Sequence, residues 1–209
     1  MTDSPTELIE QKRREIALPD GGRLLIRPVI ADDKQRLKEG FERLSPESRY
    51  RRFMSVQGRL SEQNLAYLTE IDYRNHFAWA AFDLDQPDTP GVAVARYVRL
   101  ARDPEVAEAA VAVLDTHQKR GIGSLLLQAL GAVALENGIK RFAGYLLAEN
   151  RPAAELLGRL GGAVSFDSTG MARYEIDLPA QAERLADSPV YAILKEAAKG
   201  TVDISVPSL

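Results

Sequence analysis

Two hydrophobic periods alternate along the chain, and the switches between them mark its elements. Arg23-Leu24-Leu25-Ile26-Arg27 follows a turn signal, Leu18-Pro19-Asp20-Gly21-Gly22, and stops at Pro28, which predicts a short strand. From Ala31 to Leu44 the apolar positions Leu37, Phe41 and Leu44 recur at helical spacing, with Asp32 and Asp33 in the first turn. A second helix is predicted from the cap Ser61 through Leu65, Leu68 and Ile71. Three strand-like runs follow, Phe77 to Phe82, Val92 to Leu100 and Val106 to Leu114, and the turns between them predict an antiparallel meander. Ile122, Leu125, Leu126, Ala129, Leu130, Val133 and Ala134 form one stripe of a long helix ended by Asn137-Gly138. A strand over Arg141 to Leu147 and a helix over Pro152 to Leu160 come next, closed by Gly161-Gly162. Val164 to Phe166 and Arg173 to Leu178 read as a last hairpin across Ser168-Thr169-Gly170, and a further helix is predicted near Ser188 to Lys199. The pattern implies one α/β domain on a mixed sheet (residues 18–179), preceded by a flexible arm (1–17) and followed by a helical extension (180–209).

Composition narrows the classes. The 209 residues are 45% hydrophobic and 27% charged, as in ordinary globular proteins. The absence of cysteine excludes a disulfide scaffold, a thiolate zinc site and a cysteine nucleophile. No apolar run approaches the ~20 residues of a spanning helix, and Met1 to Glu10 lacks an apolar signal core, so a soluble cytoplasmic protein is expected. A net charge of −3 argues against nucleic acid as the main partner. His76 and His117 lie far apart with no His/Glu pair at helical spacing, so no metal site is expected.

The most informative stretch is Val111-Ala112-Val113 running into Gln118-Lys119-Arg120-Gly121-Ile122-Gly123. A strand enters a polar turn, and the turn opens a helix through two glycines. A helix start offers about four backbone N–H groups without internal partners and the positive end of the dipole. Glycine lets a phosphate approach that backbone, and Lys119 and Arg120 add charge, so the turn has the makings of a pyrophosphate cradle. It is neither a GxxxxGK[ST] loop nor a GxGxxG fingerprint, because Leu126 stands where the third glycine would be. By spacing alone a plain helix cap remains an equal reading.

Gln118 to Gly123 after a valine-rich strand resembles the acyl-CoA-binding motif of the GNAT N-acetyltransferase superfamily, and the element order from about Arg23 to Leu178 resembles that of the family. Asn150-Arg151-Pro152-Ala153 is similar to its second conserved segment. Leu44-Ser45-Pro46-Glu47-Ser48-Arg49-Tyr50-Arg51-Arg52-Phe53 and Ala107-Glu108-Ala109 resemble the catalytic domains of bacterial protein-lysine acetyltransferases. Those domains are often fused to a cyclic-nucleotide-binding or an acyl-CoA-synthetase-like domain, and 209 residues are expected to hold neither. The resemblance implies an α/β (α+β) fold, a mixed and mostly antiparallel sheet of about seven strands flanked by four helices. It also implies acetyl-CoA as cosubstrate: the backbone at Val111, Ala112 and Val113 splays from the strand near Gly144-Tyr145-Leu146 and binds the pantetheine arm. By the same resemblance Gln118, Lys119, Arg120, Gly121, Ile122, Gly123 and Ser124 would hold the pyrophosphate, and Asn150 would contact the arm.

Acetyl transfer needs a neutral amine, whereas free lysine has a pKa near ~10.4, so a carboxylate must accept its proton. Glu108 sits where the resembled enzymes carry their general base; read alone, it could equally be an exposed residue on an edge strand. A backbone N–H near Val113 is expected to stabilise the oxyanion. Leu157 stands where many GNAT enzymes have the tyrosine that protonates the thiolate, leaving water or Tyr145 to supply that proton. The acceptor expected is a protein lysine side chain, acetylated directly in a ternary complex. A small-molecule amine acceptor and a non-catalytic acyl-CoA-binding module stay open as alternatives. Arg49 to Phe53 reads as an amphipathic turn, as a border of the acceptor cleft, or as a basic and aromatic patch. Trp79 is expected in the core and His117 in a structural role, and the tail from Ala180 leaves docking on its own domain or in a homodimer open.

Overall fold

The computed structural model describes residues 5–53, 58–166 and 170–199. Its frame is an eight-stranded sheet in the order β1-β2-β3-β4-β5-β6-β8-β7. The first five strands are β1 (Arg14–Ala17), β2 (Arg23–Pro28), β3 (His76–Asp83), β4 (Ala93–Leu100) and β5 (Asp103–Val113), and they form a continuous antiparallel meander. The chain then crosses through helix α5 (Ile122–Glu136) into β6 (Arg141–Leu147), which runs parallel to β5. Strand β8 (Met171–Asp177) pairs with β6 on one side and with β7 (Ala163–Phe166) on the other. The predicted meander and the final β7–β8 pairing are present, while Ser168 and Thr169 of the predicted hairpin turn lie outside the described residues.

The count of eight strands exceeds the expected seven because the polar N-terminal segment, read as an arm, contributes β1 and a preceding helix, α1 (Pro5–Lys12). One apolar side chain, Ile16, anchors β1 in the core while its backbone completes the edge of β2. Helices α2 (Lys34–Arg43), α3 (Pro46–Phe53) and α4 (Glu62–Thr69) cover one face of the sheet, with a 3₁₀ turn (Ala31–Asp33) leading in. Pro46–Phe53, of which Arg49 to Phe53 has an amphipathic turn as one of three readings, form a full helix. Ser61 caps α4 as predicted, accepting from the Asn64 N–H.

Helix α5 fills the other face. Its predicted stripe is buried from Ile122 to Ala134, packed against Phe77, Trp79 and Tyr97, and Asn137 with left-handed Gly138 ends it. Helix α6 (Arg151–Arg159) lies beside it. The C-terminal extension folds back as α7 (Leu178–Arg184) and α8 (Pro189–Lys199), and α8 packs along α5. Lys12 is buried between the termini and donates to the carbonyls of Ala197 and Ala198, tying α1 to the last turn of α8. No helix among the described residues is long and apolar enough to cross a membrane.

Candidate active site: a forked sheet beside a charged cleft

The strand preceding the glycine turn is where the sheet opens. Strands β5 and β6 pair only at Val106↔Arg141 and Ala107↔Phe142 and then diverge, so β5 is an interior strand at its start and a free edge beyond Ala107. Its backbone polarity follows from the ladder on the other side. Leu114 N–H donates to the Val92 carbonyl at 2.9 Å, so by the two-residue period Ala112, Ala110 and Glu108 bond toward β4. The N–H and C=O groups of Ala109, Val111 and Val113 then point into the fork.

A tyrosine fixes the vertex. The Tyr174 hydroxyl, projecting from β8, accepts from Ala109 N–H at 3.0 Å and donates to the Ala109 carbonyl. It thereby satisfies both groups that β6 would otherwise have bonded. The ring reaches this far because Gly144 of β6 lies in its path: a Cβ there would meet the Tyr174 hydroxyl at 2.9 Å and its ring at 3.0 Å. Burial pushes the Tyr174 hydroxyl up to about 12, with Glu108 adding to the rise, so it stays a neutral donor and acceptor. Beyond this wedge, the Val113 carbonyl receives Gln118 Nε2 at 3.2 Å, while Val111 N–H, Val111 C=O and Val113 N–H face the fork without a strand partner. Unpaired backbone of this kind is what an extended amide-bearing ligand can add to as an extra strand.

The turn that follows leaves backbone N–H groups open. Lys119 (φ 63°) and Gly121 (φ 83°) are both left-handed, which turns successive N–H groups outward at the start of α5. A Cβ at Gly121 would meet nothing within 4 Å, so this glycine serves the backbone angle and leaves the cradle open. Gly123 serves packing instead. A Cβ there would press on Leu156 at 3.4 Å and Val113 at 3.7 Å, so the bare backbone seats α5 between β5 and α6. Ile122 is buried beneath the turn, Lys119 is exposed beside it, and Ser124 accepts from Gln128 one turn on. The Arg120 guanidinium is held by Asp20 at 2.5 Å and by Asp83 at 3.3 Å. Its charge thus ties the turn to the β1–β2 loop. Asp83 also meets His117 Nε2 at 3.2 Å, giving His117 the structural place expected of it. Asn150 Oδ1 caps α6 by accepting from Ala153 N–H at 3.3 Å, which leaves its amide nitrogen available to donate.

Side chains of β5 alternate across the sheet, so Glu108, Ala110 and Ala112 face α2–α4 while Ala109, Val111 and Val113 pack toward α5. Glu108 is exposed into a cleft of about 320 Å³ that it shares with Arg52, Asn64, Tyr67 and Arg96. Arg96 is buried, 6% exposed, and donates to the Leu68 carbonyl and to His76 Nε2, both at 3.1 Å. Arginine has only donors, so His76 must accept there as a neutral ring; burial and the Arg96 charge push it down to about 4. Burial, together with the nearby Arg52, pulls the Arg96 guanidinium down to about 9.

Helix α3 is locked to the segment that leads into the glycine turn. Asp115 accepts from Ser45 N–H (2.9 Å), Ser45 Oγ (2.9 Å) and Ser48 Oγ (2.7 Å), and Gln118 Nε2 approaches Ser48 Oγ at 3.4 Å. Burial raises the Asp115 carboxyl, but these hydrogen bonds outweigh it and hold the group below the usual range. Leu157 is 8% exposed and belongs to the core, whereas Tyr145 is exposed on the face of β6 that Glu108 shares. Among the described residues no three His, Cys, Asp or Glu side chains gather in a way that could hold a metal ion.

The sequence reading brought together Glu108, the β5 backbone and the glycine turn, but missed Tyr174, Gly144, Arg96 and Asp115. Only Gly144, a glycine inside a strand, carried a local signal.

Known proteins are similar to this chain in sequence and fold. Residues 40–161 match the model of the acetyltransferase (GNAT) family. The chain is 36% identical over 154 residues to acetyltransferase Pat of Mycolicibacterium smegmatis, covering 74% of this chain and 45% of Pat, so it spans less than half of that relative's length. It is 31% identical over 145 residues to acetyltransferase PA5475 of Pseudomonas aeruginosa, covering 69% of this chain and 77% of the relative. The crystal structure of the GNAT domain of S. lividans PAT superposes with a TM-score of 0.74 at 31% identity, covering 84% of this chain and 99% of that one. With a fork, a left-handed glycine turn and a matching family model on one strand–turn–helix unit, the chain belongs to the GNAT acetyltransferase family.

Proposed function

We propose that this protein transfers the acetyl group of acetyl-CoA to a primary amine, a protein lysine side chain being the favoured acceptor, by direct attack in a ternary complex. The observation that carries this reading is the placement of Glu108 on the strand whose opposite edge is the unpaired backbone of Val111 and Val113. The pantetheine amides would bond Val111 and Val113 as an added strand, with Ala112 between them. The diphosphate would lie on the N–H groups from Gln118 through Arg120, Gly121, Ile122 and Gly123 to Ser124, with Lys119 above. Asn150 would donate to the arm from its uncapped amide nitrogen. The cradle fits such a ligand because no side chain closes it at Gly121.

In this mechanism the acceptor enters through the cleft as an ammonium drawn to Glu108. Glu108 takes one proton from it; the nitrogen attacks the thioester carbonyl, and a backbone N–H near Val113 steadies the oxyanion. Collapse breaks the C–S bond, the thiolate takes a proton from water or from Tyr145, and the second proton of the new amide nitrogen is lost to solvent and replaces the one the thiolate took. General base catalysis of this sort contributes typically ~10²–10⁴-fold. The test is Glu108→Gln: thiol release with a verified lysine-bearing acceptor should fall by that order while acetyl-CoA still binds in calorimetry. Undiminished turnover removes Glu108 from the role, and absent acetyl-CoA binding by the wild type removes the reading itself.

A further inference from the structure

The cleft that holds Glu108 also holds two guanidinium groups that have no ion-pair partner among the described residues. Arg27 meets Asp33 at 2.6 Å and Arg120 meets Asp20 and Asp83, while the partly buried Arg14, Arg49 and Arg99 donate to backbone carbonyls. Among the described residues Arg96 and Arg52 meet no carboxylate within ion-pair distance. Arg96 spends its contacts on a carbonyl and a neutral imidazole, and its remaining donors border the cleft. Arg52 makes no hydrogen bond to any described residue and lies only over the Phe53 ring, 4.9 Å from its centroid. Burial holds both guanidiniums below their ordinary values, and the charge of Arg52 lowers Arg96 further. A buried cation with no partner is costly, and two facing each other more so. Glu108 offsets part of this, since its charge reaches Arg52, but one carboxylate against two cations leaves the cleft net positive. When Glu108 takes up a proton during transfer, even that compensation is lost.

We propose that Arg52 and Arg96 form a carboxylate-binding subsite, and that the preferred acceptor presents its amine to Glu108 and a carboxylate beside it to the two arginines. Asn64 and Tyr67, on the same wall, add further polar partners for that carboxylate. The inference rests on the acetyltransferase reading above and names its substrate class: an amine with a nearby anionic group. That group is either an acidic residue flanking a lysine in a protein or the α-carboxylate of a free amino acid.

Two acceptor pairs test it, each matched except for the carboxylate: a lysine peptide flanked by glutamate against its glutamine twin, and lysine against lysinamide. A charge-assisted hydrogen bond is worth roughly tenfold or more, so kcat/KM should favour the acidic member by about that factor. The pair that shows the preference identifies the source of the carboxylate. Arg52→Gln and Arg96→Gln should bring the ratio toward unity, and added salt should reduce it in the wild type. Because Arg52 bonds none of the described residues, Arg52→Gln keeps the test valid if Arg96→Gln does not fold. Equal use of acidic and amide acceptors by the wild type, or a preference surviving Arg52→Gln, overturns the subsite and leaves the acetyltransferase reading intact. If no acceptor releases thiol although acetyl-CoA binds, the transfer reading fails instead. Titration with glutarate then decides the subsite: saturable binding weakened by Arg52→Gln supports it, and absence of saturable binding overturns it.

Discussion

The Tyr174 wedge makes the sharpest prediction, because one oxygen atom ends a β-ladder. Tyr174→Phe keeps the ring under Gly144 and removes only the hydroxyl that bridges Ala109 N–H, at 3.0 Å, and its carbonyl. A net intramolecular hydrogen bond contributes about 1 kcal/mol, and a buried N–H left without a partner costs about 1–3 kcal/mol. The vertex sits beside the core, with Tyr174 4% exposed, so water does not readily replace the hydroxyl. A loss of about 2 kcal/mol is expected, which for a chain of this size lowers Tm by roughly 4–8 °C. The same deletion lets β6 close on β5 past Ala107, narrowing the fork in which Val111 and Val113 stand open. Acetyl-CoA affinity should therefore fall together with stability, measured by calorimetry at a temperature where the variant is fully folded. A variant matching the wild type in both Tm and affinity would show that the fork does not depend on the hydroxyl.

Further outcomes follow from other residues. Gly144→Ala places a methyl within 3.0 Å of the Tyr174 ring and should lower Tm and acetyl-CoA affinity in the same direction as Tyr174→Phe. Gly121→Ala meets no atom, so its cost is the left-handed backbone alone, about 1–2 kcal/mol, read as a small Tm loss and weakened diphosphate binding. His76, with its pKa at about 4 in the fold against 6.5 free, binds fewer protons than the unfolded chain between those values. Its contribution is therefore complete above pH 6.5 and lost as pH falls toward 4; urea midpoints across that window should drop less steeply in His76→Gln. Asp115→Asn should weaken the hold on Ser45 and Ser48 and raise the acceptor KM more than it raises the Kd for acetyl-CoA.

What the sequence revealed of this fold was what local pattern controls. The helical stripe of α5, the meander and the Gly121–Gly123 turn depend on periodicity and on backbone angles that only certain residues take easily, so they were legible. Strand β1 was not, because its four residues hold one buried apolar side chain and owe their extension to pairing with β2. Helix α3 was missed for a related reason. Its buried content is slight, and its first turn is organised by Asp115, seventy residues away along the chain. Helix α7 did carry a local sign, Asp177 capping Ala180 N–H ahead of Pro179, but its short length kept it below notice. Tyr174 shows the same limit at the site, since nothing near it in sequence says that its hydroxyl ends a ladder between two other strands.

Those long-range contacts also explain how the two halves of the site come to act together. The proposed diphosphate turn and the Glu108 cleft lie on opposite faces of β5, and a sheet alone would hold them only through backbone stiffness. Asp115 leaves the end of β5 and grips the start of α3, the helix that carries Arg52 into the cleft. Gln118 lies between the same α3 serine and the Val113 carbonyl, which borders the fork. A ligand that drew Gln118 toward its phosphates would therefore pull on α3 and shift Arg52 relative to Glu108. Under the proposed binding mode this geometry couples the two sites, and thermodynamic reciprocity requires each ligand to change the other's affinity by the same factor. Gln118→Ala, which cuts the bridge and leaves the glycine backbone in place, should reduce that mutual factor toward one; equal coupling in variant and wild type would place the link elsewhere in the sheet.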